Sequence, residues 1–161
     1  MEDFIKKKVL LQAPRDRVWR AISDATQFGS WFGMRLEAPF VAGTAVRGVI
    51  SPTSVDEVVA AAQKPYEGMS CEMVIEAIEP ERLFAFRWHP YGVEPDVDYS
   101  AEPMTLVEFE LEETAEGVLL TVTESGFSKI PLERRAKAFS ANEGGWTMVI
   151  TLIEKYLRHA N

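Results

Sequence analysis

The chain has one cysteine, two histidines and an acidic imbalance, with 17 Lys and Arg against 25 Asp and Glu. Each scarcity excludes something. A lone cysteine, Cys71, rules out an internal disulfide framework and suits a reducing compartment. With no basic or histidine neighbour in sequence, Cys71 reads as a small core residue, and Gly-x-Ser-x-Gly is absent. His89 and His159 lie far apart with no His-x-x-x-His spacing, so a zinc site or a two-histidine iron site lacks its ligands. The acidic loop with Glu94, Asp96, Asp98 and Glu102 has neither the glycine nor the closing glutamate of a calcium loop, and Pro95 interrupts it. A net charge of −8 argues against nucleic acid and anionic membrane surfaces as main partners. No apolar run approaches the roughly 20 residues needed to span a bilayer. The start, Met1 to Phe4 and then Lys6-Lys7-Lys8, lacks the apolar stretch of a secretory signal. The expectation is a soluble cytoplasmic protein without a metal or cofactor.

What is present is apolar mass in two periods. At 161 residues and 47% hydrophobic content, with no repeat or linker, the chain predicts one domain over residues 1–161. Residues 4–12 read as an edge strand, with Lys6 and Lys8 on one face and Ile5, Val9 and Leu11 on the other. Pro14 introduces a helix over 15–23, whose Val18, Trp19 and Ile22 share a face. Asp24 N-caps a second short helix ending near Phe28-Gly29, and Trp31-Phe32 follow beside a turn. A weak strand covers 46–50. Four stronger strands, 70–78, 83–89, 105–112 and 118–124, alternate apolar and polar residues, which predicts an antiparallel sheet covered on one face. Their inward set includes Met73, Phe84, Phe86, Trp88, Val107, Phe109, Leu111, Leu120 and Val122, and by the same alternation Glu124 points inward. Between strands, residues 52–68 carry the capping box Ser54-Val55-Asp56-Glu57 and an alanine run, predicting a short-helix insertion capped by Ser54, a lid over a pocket mouth. Residues 90–103 hold three prolines with Tyr91 and Tyr99, predicting a long ordered loop.

Residues 132–158 carry the period of a long helix. Leu132, Ala136, Phe139, Trp146, Ile150, Ile153 and Leu157 fall on one face. Glu143 occupies that stripe, and Gly144-Gly145 sits in mid-helix, where each glycine costs about 1 kcal/mol relative to alanine. Such a helix either bends there or lets something approach its backbone. Beyond Gly145 it is apolar on nearly every side, so it is sandwiched between sheet and helices or forms a dimer seam. Lys129, Arg134, Arg135 and Lys137 form a basic cluster near its start, either a solvated face or a place for a partner or anion.

The pattern Ala13-Pro14-Arg15-Asp16-Arg17-Val18-Trp19 resembles the opening of the START-like (SRPBCC) superfamily. Phe28, Trp31, residues 84–88 (Phe-Ala-Phe-Arg-Trp), residues 121–127 (Thr-Val-Thr-Glu-Ser-Gly-Phe) and Asn142-Glu143-Gly144-Gly145-Trp146 resemble its bacterial branch related to the C-terminal domain of the Hsp90 ATPase activator. The resemblance covers nearly the whole chain. It implies an α+β helix-grip fold: a curved antiparallel sheet of about six strands wrapped around a long C-terminal helix, with two short helices after the first strand. It also implies a cavity, without fixing a chemistry.

Three functions follow as expectations. The first is binding of a small, largely apolar ligand, lipid-like or aromatic, in a cavity lined by Trp31, Phe32, Met73, Phe86, Trp88, Phe109, Glu124, Phe139, Glu143, Trp146 and Ile150. A filled aromatic core gives the same pattern. The second is a cyclase or isomerase in which Glu143 and Glu124 act as acid and base. Against it stands a Glu143 that is exposed or paired with a cation. The third, implied by the resemblance, is an interaction module for an Hsp90-type chaperone. A homodimer fits any of the three.

Overall fold

The computed structural model describes residues 3–90, 92 and 98–159; Tyr91, Glu94, Pro95 and Asp96 of the acidic loop lie outside them. The chain runs β1 (Phe4–Leu11), α1 (Arg15–Ser23), α2 (Ala25–Phe32), β2 (Met34–Leu36), β3 (Ala45–Ile50), α3 (Glu57–Gln63), β4 (Ser70–Glu79), β5 (Leu83–Trp88), β6 (Thr105–Thr114), β7 (Gly117–Ser125) and α4 (Leu132–His159). Single 3-10 turns stand at Lys64–Tyr66, Tyr99–Ala101 and Phe127–Lys129. The strands form one seven-stranded sheet in the order β1-β7-β6-β5-β4-β3-β2. Every neighbouring pair is antiparallel. This is the helix-grip architecture: α4 crosses the inner face of the sheet, and α1 and α2 close one end. The strand beyond the expected six is β2, whose three residues are too short to show an alternating pattern.

The register follows the alternation. Phe84, Phe86, Val107, Phe109, Leu120 and Val122 are buried on the inner face, while Glu110 is exposed and Glu108 half-exposed on the other. Fully burying such a side chain contributes about 1.5–3 kcal/mol. Phe28 of α2 is the hub of this core. Its ring stacks on Phe32 at 4.7 Å and meets Trp31, Phe40 and Phe109 at 5.2, 5.6 and 6.0 Å. The helix therefore runs past its expected end at Phe28-Gly29 to Phe32, because Trp31 belongs to the core and donates its indole N–H to the Ala21 carbonyl at 2.8 Å. Gly33 then stops the helix with φ of 98°, a left-handed C-cap.

Two further expectations are corrected. The insertion helix α3 is capped by Asp56, not Ser54: the Asp56 carboxylate accepts from the Val59 N–H at 2.9 Å, while the Ser54 hydroxyl pairs with that of Ser30 at 3.0 Å. Asp56 also forms an ion pair with Lys155 of α4, which holds its carboxyl below the usual carboxylate range. The second correction concerns the basic cluster. Arg134 is buried and grips the Glu102 carboxylate through Nε at 2.9 Å and Nη2 at 3.1 Å. It also donates to the Pro90 carbonyl at 2.9 Å and lies over the Tyr99 ring. Arg135 donates to the carbonyls of Ile130 and Ser128. These arginines fasten a loop and a turn to α4. They do not form an open patch. Among the described residues no helix is long and apolar enough to cross a membrane.

Candidate functional site

The sheet grips α4 tightly at one end and loosely at the other. Along β5 the inward residues Phe84 and Phe86 are sealed, and the next, Trp88, lines open space. Along β4 the sealed residues are Ile75 and Met73, and the one at the open end is Cys71. That space is a cavity of about 610 Å³. Phe32, Met34, Ile50 and Trp88 line it from α2 and the sheet; Ala141, Gly144, Gly145, Met148 and Val149 line it from α4. Gln63 and Tyr66 border it from the insertion, and His89 and Tyr99 from the far side.

Gly144-Gly145 does not break α4, which runs unbroken through it. A Cβ built on either glycine meets no other atom within 4 Å. Gly33 is the opposite case: a Cβ there would sit 2.5–2.7 Å from the Gln63 amide. Nothing in the fold requires the α4 glycines for packing. Their effect is to leave the helix backbone bare where it faces the cavity.

Beneath the cavity lies Glu124, fully buried at the end of β7. Its carboxylate accepts from Trp88 Nε1 at 2.8 Å, Thr105 Oγ1 at 2.6 Å, Trp146 Nε1 at 2.8 Å and Asn142 Nδ2 at 2.8 Å. No Lys or Arg is among these partners. A buried carboxylate without a counter-ion persists only where several donors replace its water. In return it fixes two indoles and the Asn142 amide, and so shapes the cavity wall.

Glu143 takes the other course. It leaves the stripe and pairs with Lys7, whose side chain lies on the inner face of β1 between Ile5 and Val9. The carboxylate is 45% exposed and does not line the cavity, correcting the expectation of an inward Glu143 beside Phe139. Of the other expected site residues, Phe32 and Trp88 line the cavity. Trp31, Met73, Phe86, Phe109, Trp146 and Ile150 are buried in the core. Phe139 packs on Phe127 at 5.1 Å, away from the cavity. The cavity residues missed include Met34, Gln63, His89, Asn142 and Met148. A signal existed for Gly144-Gly145, the cost of two glycines in mid-helix.

Burial shifts two titratable side chains in the lining toward their neutral forms. Burial pushes the Cys71 thiol up to about 11, which makes it a poor nucleophile. Burial also lowers the His89 imidazole, with Arg134 adding to the effect and Glu102 and Glu72 opposing it. Nδ1 of His89 is buried and has no hydrogen-bond partner among the described residues. Among those residues no group of three or more His, Cys, Asp or Glu converges as a metal site.

A family model described as "Activator of Hsp90 ATPase homolog 1-like protein" matches residues 12–158. No curated protein matches the chain. Among solved structures, DynU16, a protein of the dynemicin biosynthetic locus, is 25% identical with a TM-score of 0.69; the match covers 100% of this chain but only 49% of that one. The protein MLL2253 from Mesorhizobium loti is 18% identical over 98% of both chains, with a TM-score of 0.71. The Aha1 dimer from Colwellia psychrerythraea is 11% identical over 98% of both chains, with a TM-score of 0.67. The last two are likenesses of fold.

Proposed function

The chain belongs to the family of activator of Hsp90 ATPase homolog 1-like proteins, and within that family we propose that it binds a small, largely apolar ligand in the cavity beneath α4. The observation that carries this reading is the pair Gly144-Gly145. Two residues that weaken a helix stand where no protein atom needs the room, on the wall of a cavity in the size range of about 300–1,000 Å³ typical for small-molecule sites. The rim supports it: Tyr66 and Met148 are about 40% exposed and present apolar surface at the opening. Gln63 and Tyr66 on its border support a role for the segment 52–68 as a lid.

The same geometry disfavours a pair of carboxylates acting as acid and base. Glu143 is turned to Lys7, and the oxygens of Glu124 are occupied by four donors. A chaperone partner is the second reading, favoured by the family description, and a homodimer is suggested by the Colwellia relative. The chaperone reading needs a docking surface, and the two arginines of the basic cluster, Arg134 and Arg135, are engaged within the chain.

The test is to fill the cavity from α4. Gly145→Leu is expected to keep the fold and to abolish binding of the neutral apolar dye N-phenyl-1-naphthylamine, read by its fluorescence gain. Wild-type protein that does not bind the dye, or a variant that binds it equally well, overturns the reading. Native mass spectrometry of protein purified from its own host then identifies the natural ligand.

A further inference from the structure

Glu124 decides what the cavity wall has left to offer. Trp88 and Asn142 both line the cavity, and each spends an N–H on that carboxylate, Trp88 through Nε1 at 2.8 Å and Asn142 through Nδ2 at 2.8 Å. A carboxylate ringed by four donors only accepts, so the Asn142 amide cannot turn around without setting oxygen against oxygen. Its nitrogen is held on Glu124 and its Oδ1 on the other side. Oδ1 has no partner among the described residues, and it is not sealed as Nδ1 of His89 is.

The other polar side chains of the described lining are not one-sided in this way. Gln63 is spent at both ends: Nε2 donates to the Phe32 carbonyl at 3.0 Å, and Oε1 accepts from the Thr53 N–H at 2.8 Å. The hydroxyls of Tyr66, Ser70 and Tyr99 turn to donate or accept, and His89 does either at Nε2 according to where its proton sits. The Cys71 thiol is a weak partner both ways. Glu72, an exposed carboxylate, accepts only, and no Lys or Arg stands opposite it in the described lining. The balance is an excess of acceptors over donors.

We propose that the ligand carries a hydroxyl or N–H group that donates to Asn142 Oδ1, so that the cavity selects hydrogen-bond donors over molecules of the same shape that only accept. This rests on the cavity-binding reading above and narrows it. A donor arriving at Oδ1 meets an acceptor already aimed, with no side-chain freedom left to lose. A group that only accepts, such as an ether, ketone or carboxylate, meets the like partial charge of Oδ1 and has to find a hydroxyl elsewhere.

Indole and benzofuran have one shape and differ in an N–H against a ring oxygen, and each is used to displace N-phenyl-1-naphthylamine. The indole N–H is hydrogen-bonded in water, so burial without a partner ranks indole second. The expected order is the reverse, with indole tighter by about 3–10-fold for one neutral hydrogen bond. In Asn142→Leu, benzofuran still binds and the preference for indole is lost. The ratio is taken within each protein, so lower stability does not mimic the effect. The wild type carries a readout that needs no variant: a nuclear Overhauser contact between the N–H proton of bound indole and the Asn142 side-chain amide protons. Benzofuran binding as tightly as indole in the wild type, a preference for indole that survives Asn142→Leu, or absence of that contact each overturns the proposal. Dye binding without displacement by either compound also overturns it, yet leaves the cavity reading intact. Failure of the dye itself to bind removes both.

Discussion

The two ends of the inner sheet face meet the same helix and are filled in opposite ways. At the closed end Phe28, Trp31, Phe84, Phe86 and Phe109 touch ring to ring and are sealed from water. At the open end Phe32, Trp88 and Met148, none of them sealed, line the cavity. Glycine makes the contrast sharpest. Gly29 of α2 is needed because a Cβ would fall 2.0 Å from the Met34 carbonyl oxygen; Gly144 and Gly145, on the cavity wall, have nothing near them. Packing explains the first end completely. Packing does not explain the second, where the proposed ligand sits.

If that division is right, the largest effect of truncation belongs to the closed end. Phe109→Ala removes a fully buried ring from the centre of the aromatic cluster and is expected to cost about 3–5 kcal/mol in urea denaturation. Met148→Ala at the open end removes a side chain already 41% exposed and is expected to change stability by less than about 1 kcal/mol while weakening dye binding. Equal losses at the two sites would mean that the open end is core after all.

A smaller effect marks the boundary between the ends, where the two carboxylates are contrasted. In Glu124→Gln one oxygen becomes an NH₂ group. Oε1 accepts from Trp146 and Oε2 from Trp88, so either way round one indole N–H loses its acceptor and faces another donor. The expected cost is roughly 2–3 kcal/mol, as for a buried polar group left unpaired. Glu143→Gln disturbs only a part-exposed ion pair with Lys7 and should cost about 1 kcal/mol or less. Similar values for the two variants would show that Glu124 is not held as described.

The difference between these glutamates also shows what could be read from the sequence. Alternation after Leu120 and Val122 placed Glu124 inward, because period two persists along a strand. The stripe on α4 misplaced Glu143 because a helical period of 3.6 drifts around a seven-residue spacing, by about 20° per heptad. Over 28 residues the apolar face slides, and Glu143 comes to lie against β1. Lys7 was concealed in Lys6-Lys7-Lys8, a run that reads as one charged patch although its middle member faces in. The aromatic residues were legible as inward but not as core or lining, since burial and cavity exposure follow from the same hydrophobic pattern. His89 lies one residue past Trp88, where β5 stops, so the alternation of that strand does not place it.

The smallest expected effect has the sign that decides the comparison. Gly144→Ala adds one methyl group to a helix at a point where it meets no atom. Propensity alone then stabilises α4, by about 1 kcal/mol at most, and the melting temperature rises. At Gly33 the same change is strained by a φ of 98° and by the Gln63 amide, so the melting temperature falls. A protein selected for stability alone gains by the first substitution, so the measurement to pair with it is dye affinity. If Gly144→Ala melts higher and binds less tightly, the glycine trades helix stability for room in the cavity. If it melts lower, α4 needs the glycine for its own sake, and the bare stretch of helix no longer points to a ligand.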